Sequence, residues 1–109
     1  MVIFSLKIRE YLNDLTPLLY KYGYFSFYDS ADNYVTELMT NIENNLPFKS
    51  HKPAPPYFNR YGQDLEYSSF KKSKQTTWHV FFNFYLDELG NEVYVVKYIS
   101  NNHVIGKYL

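Results

Sequence analysis

Residues 76 to 99 constrain this chain more than any other stretch. From Thr76 to Tyr85 and from Glu92 to Ile99 the sequence is dense in aromatic and β-branched residues, and a short Gly90-Asn91 turn joins the two runs. Side chains alternate across a strand, so Trp78, Val80, Phe82 and Phe84 point one way, and Thr77, His79, Phe81, Asn83 and Tyr85 the other. The first set is predicted to be core. The second is semi-polar, as in a sheet left partly open on one side. At 109 residues the chain has room for one domain, 1–109, and not for a second core.

The rest of the chain supplies what covers that sheet. Val2, Phe4, Leu6 and Ile8 alternate as a first strand would. Leu12, Leu15, Leu18, Leu19 and Tyr22 follow helical spacing, with Gly23 placed to stop the helix. Pro17 lacks an N–H, so a Thr16 cap with Pro17 at the first helical position is expected to split this segment in two. A clearer helix opens at Asp29 or Ser30 and buries Ala31, Tyr34, Val35, Leu38, Ile42 and Leu46. Residues 47–63 hold four prolines and read as a long irregular loop carrying His51, Lys52 and Arg60. Strands at about 64–72, 76–86 and 92–99 complete an α+β fold. It has an N-terminal strand, two helices and a three-stranded antiparallel meander, with the helices on one face of one sheet.

Composition excludes several chemistries. Without cysteine there is no disulfide framework, thiol nucleophile or thiolate metal site. No apolar run reaches the roughly 18 residues that cross a bilayer, and the first residues do not read as a signal peptide, so a cytoplasmic location and no membrane partner are expected. His51, His79 and His103 lie far apart without metal-ligand spacing, which predicts no metal and no other cofactor. There is no Gly-rich phosphate loop and no nucleophile elbow. Thirteen tyrosines and nine phenylalanines carry much of the apolar content, and each phenol needs a partner or water. Charge is zero overall but divided. Residues 1–45 hold three basic and six acidic side chains, residues 46–109 eight and five. A local anion-binding face in the second half is one reading of this; mutual attraction of the halves is the other.

Phosphate chemistry without metal remains. Cleavage of RNA through its 2′-OH needs a base, an acid for the leaving oxygen and cations for the phosphorane. His79 and His103 are the candidate acid and base, with Lys71 beside them. Arg60, Lys72, Lys74 and Lys97 are candidate RNA-binding cations, and tyrosines can stack on bases. All are expected to converge on one side of the sheet, with His79 mostly uncharged at neutral pH unless a neighbouring carboxylate such as Glu66 raises its pKa.

The order of elements, the run Trp78-His79-Val80-Phe81-Phe82-Asn83-Phe84-Tyr85, the strand Val93 to Ile99, and His103 with Tyr108 five residues later resemble the RelE/ParE superfamily of type II toxins. The resemblance implies a toxin held inactive by a cognate antitoxin, which fills an exposed apolar groove. The first activity implied is metal-independent, ribosome-dependent endonucleolytic cleavage of mRNA. The alternative is a non-enzymatic binder, either a ParE-like gyrase inhibitor or a catalytically degenerate relative that keeps antitoxin binding. Carried over by position, His79 stands where that family often has arginine, and His103 and Tyr108 match its terminal histidine and tyrosine. Lys71 falls near the basic residue expected at the end of the preceding strand.

Overall fold

Ser5 decides where the first strand ends. Its side chain accepts a hydrogen bond from the Ile8 amide at 3.4 Å and caps a helix that starts at the next residue. The first strand, β1, is therefore only Val2–Phe4, and Leu6 and Ile8 belong to helix α1, Leu6–Lys21, instead of extending the strand. The computed structural model describes residues 1–109.

Pro17 does not split α1. The helix runs through it, with Ile8, Leu12, Leu15 and Thr16 buried and Pro17 exposed. The bond that Pro17 cannot donate would have gone to the carbonyl of Asn13, also an exposed residue, where water can serve instead. Gly23, at φ +78°, ends the helix as expected. Its amide bonds the Tyr20 carbonyl and the Tyr24 amide bonds that of Leu19, the paired closure that a left-handed residue permits. Helix α2, Tyr28–Asn45, begins slightly before the expected caps, so Asp29 lies in its first turn, where a carboxylate suits the helix dipole. Its buried stripe is the expected one, with Tyr34 half-buried at its border.

The stretch read as irregular is more ordered than its prolines suggest. It contains a 3-10 turn at Leu46–Phe48, a two-residue strand β2 at Lys52–Pro53, and a 3-10 segment at Pro56–Tyr61. Pro53 is tolerated because β2 is an edge strand. Strands β3 (Glu66–Lys71), β4 (Thr77–Leu86) and β5 (Glu92–Asn101) form the meander, and a short helix α3 (Asn102–Ile105) and a final 3-10 turn (Gly106–Tyr108) follow. The mixed sheet has five strands in the order β1-β5-β4-β3-β2, with β1 parallel to β5 and every other pair antiparallel. β4 is thus central.

Helices α1 and α2 cover one face. Trp78, Val80 and Phe82 pack there with Val35, Leu38 and Ile42, as the alternation predicts. Phe84 is the exception. It is 41% exposed, in the part of the hairpin that α1 and α2 leave uncovered. The β4–β5 connection is longer than the Gly90-Asn91 pair. Asp87 organises it, its carboxylate accepting from the amides of Leu89 and Asn91 at 2.9 and 2.8 Å, while Gly90 takes φ +81°.

A bulge in β5 changes the register. Phe81 pairs with Tyr98 but Phe82 with Val96, leaving Lys97 unpaired and exposed. The extra residue sends Ile99 to the helix side with Val96, and Tyr98 to the other side with Phe81. That other side is not open. The Pro56–Tyr61 segment and the short helix α3 lay Phe58 and Ile105 over Tyr67 and Phe81, making a second buried cluster with Leu65.

Candidate functional site

The covered second face changes what its residues can do. His79 sits mid-strand at 9% exposure, with Nδ1 2.8 Å from the Ser69 hydroxyl and the Tyr67 ring edge-on at 6.0 Å between centroids. Burial pushes its imidazole below the ordinary value of 6.5, so it is a neutral group at pH 7. Glu66 does not raise it. That carboxylate lies 3.0 Å from His51 Nδ1, and the His51 ring meets Phe82 edge-on on the helix side of the sheet.

The residues singled out from the sequence separate into groups. Lys71 shares the His79 side of the sheet, two positions nearer the β3–β4 turn, and is exposed. Lys72, one residue later, faces the helices. Its ammonium bonds Glu37 at 3.2 Å and stands 4.9 Å above the Tyr34 ring. Lys74 is a solvated turn residue, and Lys97 stands exposed at the bulge. His103 lies in α3, which crosses the end of the sheet. Its Nε2 is 3.0 Å from the Thr76 hydroxyl, and it shares a cleft with helix-side Trp78 and Tyr34. His79 and His103 therefore address opposite sides of the sheet, and the expected convergence is only partial.

Arg60 and Tyr108 do meet, through a residue the sequence reading passed over. Tyr57 stacks on Tyr108 with centroids 3.6 Å apart and planes within 5°, while the Arg60 guanidinium carbon is 3.9 Å from the Tyr57 centroid. Two groups that close to one ring centre must occupy its opposite faces, giving a three-layer stack. Lys107 stands 5.1 Å from the Tyr108 centroid. The Tyr57 hydroxyl and then Lys107 hold the Tyr108 phenol below its ordinary value, and burial followed by Tyr108 raises that of Tyr57. A second stack, Tyr61 on Tyr98 at 3.7 Å, continues the layer. These rings spend their faces on one another, so the layer works first as a cover for Phe81.

An aromatic-lined concavity lies on the helix side. A cleft of about 390 Å³ is lined by Tyr11, Leu15 and Leu19 of α1, Tyr24 and Phe25 of the connection, and Tyr34 of α2. The β3–β4 turn, Trp78 and the start of α3 complete it, the last through His103 and Val104. Trp78 Nε1 donates to the Tyr34 hydroxyl at 2.8 Å. Tyr11 is raised above the ordinary phenol value by burial and then by Tyr34 beside it. Of the cleft residues, the sequence reading had singled out only Lys72 and His103. Tyr34 and Trp78 read as helix stripe and strand alternation, Tyr11 carried no signal, and the one available cue was that a buried indole N–H requires an acceptor.

No group of three His, Asp or Glu side chains stands close enough together to hold a metal ion, and no helix is long and apolar enough to cross a membrane. No family model, no curated protein and no solved structure matches this chain.

Proposed function

We propose that this chain acts by binding a partner protein, as a RelE/ParE-like toxin relative that holds its target without cutting RNA. The observation that carries the reading is the separation of the two candidate catalytic histidines. His79 is buried and neutral on one side of the sheet, while His103 lines the cleft on the other. Proton transfer in RNA cleavage needs an acid and a base within hydrogen-bond reach of one phosphodiester. A buried imidazole whose Nδ1 contacts Ser69 does not offer that reach. In support of the toxin-like frame stand the succession of a strand, two helices and an antiparallel meander, and an uncovered apolar surface. At the hairpin end Phe84, Leu86 and Leu89 are exposed, and Met1 joins them, its ammonium bonded to the Glu92 carbonyl. Apolar surface of this kind marks partner sites. The partners implied are a cognate antitoxin and, as target, gyrase.

Two measurements test the reading together. Purified protein is expected to leave both free and ribosome-bound RNA uncut between about pH 6 and about pH 8, the range over which histidines titrate. In a supercoiling assay it is expected to inhibit gyrase, and Leu86→Asp to relieve that inhibition. RNA cleavage that disappears in His103→Ala or Tyr108→Phe would overturn the proposal and restore the ribosome-dependent nuclease.

A further inference from the structure

We infer that the cleft between the helices and the end of the sheet is a binding site for a small aromatic molecule carrying an acidic group. The space is about 390 Å³, within the range of roughly 300–1,000 Å³ typical of small-molecule sites. Its walls come from α1, the α1–α2 connection, α2, the β3–β4 turn, β4 and α3. Walls from so many separate elements bound a pocket suited to a compact ligand, whereas an extended peptide needs a groove running along one or two elements.

The chemistry of the lining selects the ligand class. Tyr11, Phe25, Tyr34 and Trp78 present aromatic surface, and Leu15 and Leu19 aliphatic surface, which together favour a flat apolar ring. Among the polar groups, the Lys72 ammonium can only donate, and the tyrosine hydroxyls can donate as well as accept. The Tyr34 oxygen accepts from Trp78 Nε1, leaving its own proton to give. The Tyr11 hydroxyl has no hydrogen-bond partner within the protein, yet no buried side-chain polar atom is left unsatisfied, so this oxygen reaches the cleft solvent. Burial holds the Tyr11 phenol above its ordinary value, so it stays a neutral donor at pH 7. The charged or titratable side chains in the lining are otherwise Tyr24, Lys72 and His103, and no carboxylate is among them. Lys72 is the one ammonium in the lining, and the Glu37 carboxylate that pairs with it lies outside the lining, so the cleft side of that ammonium can face an anion.

Lys72 is held for this role without being consumed by it. Its contact with Tyr34 keeps the ammonium at the cleft, and its ion pair is with Glu37, whose side chain is 72% exposed. With the Glu37 carboxylate this exposed and the Lys72 side chain 21% exposed, water screens the acidic partner, and a ligand carboxylate can share the ammonium. The inference stands apart from the proposed partner binding, which concerns the hairpin end of the molecule.

Trp78 is the only tryptophan and lies in the lining, so its emission reports on the cleft directly. Titration with 4-hydroxyphenylacetate, read by tryptophan fluorescence and by calorimetry, is expected to give saturable binding. Tyramine, the same ring with an amine, and 4-methylphenol, with no charge, are expected to bind at least about tenfold more weakly, the scale of one charge-assisted hydrogen bond. Lys72→Gln should remove that preference while circular dichroism stays native, and Leu15→Trp, which fills the cleft, should abolish binding of all three. Equal affinity for acid and amine, or an unchanged preference in Lys72→Gln, would overturn the inference. So would no saturable binding by either method at millimolar concentration. A short peptide with a C-terminal aromatic residue that binds where 4-hydroxyphenylacetate does not would overturn it in favour of a protein ligand.

Discussion

The two faces of the sheet are built from the same strands, yet they are covered in different ways. On one, fifteen buried residues from both helices and the strands form a continuous core. On the other, a cluster of five, Phe58, Leu65, Tyr67, Phe81 and Ile105, is closed by the 3-10 segment that begins at Pro56 and by the short helix α3. Helices bring a repeating apolar stripe to a flat surface, so the first cover is regular. The second is made by single side chains reaching in from segments without a repeat, and aromatic rings suit that task because each buries a large area from one attachment point. Burial depth does not separate the two faces: Phe82 and Phe81, neighbours in β4, are both fully buried. What separates them is how many elements stand behind each ring.

The largest effect should come from breaking the helix-side core. Phe82→Ala is expected to cost about 3–5 kcal/mol, the usual range for a fully buried phenylalanine, measured as a shift in urea midpoint. Phe58→Ala should fall at the low end of that range, about 3 kcal/mol, because the proline-rich segment can collapse toward the gap. It should also uncover His79, read as faster modification of that imidazole by diethyl pyrocarbonate than in the wild type. Equal protection of His79 in the two proteins would mean the second cover does not depend on Phe58.

A pH series sharpens the comparison further, since only the second face buries a titratable histidine. The folded His79 pKa lies below 6.5 and the unfolded value near it, so the unfolded chain binds the extra proton first. The stability linked to His79 is therefore complete above about pH 6.5 and is lost as pH falls below that toward the folded value. His79→Gln should show a shallower decline in urea midpoint between about pH 7.5 and about pH 5.5. An unchanged slope would place the acid sensitivity elsewhere. The smallest effects are expected at adjacent lysines that face opposite sides. Lys72→Ala, which loses its contact with Glu37, should cost under about 1 kcal/mol. Lys71→Ala should stay within about 0.5 kcal/mol.

The candidate site was less legible than the fold. Lys71 and Lys72 look equivalent in the sequence, yet strand alternation sends them to opposite sides of the sheet, and only Lys72 reaches the cleft. Tyr57 carried no signal among thirteen tyrosines, although it joins Arg60 to Tyr108. Lys97 offered no sign that it would be the unpaired residue of a bulge.

By itself the sequence determined the central strand, the helix that packs on it and the stop at Gly23. Each follows from a period, or a backbone preference, that acts over a few neighbouring residues. The tertiary structure decided the rest: the parallel pairing of β1 with β5, the unbroken helix through Pro17, the β5 bulge and the lid over Phe81. It also set the two histidines on opposite sides. These outcomes depend on which distant segments meet and on whether a particular carbonyl faces water or protein, and no local pattern of residues encodes either.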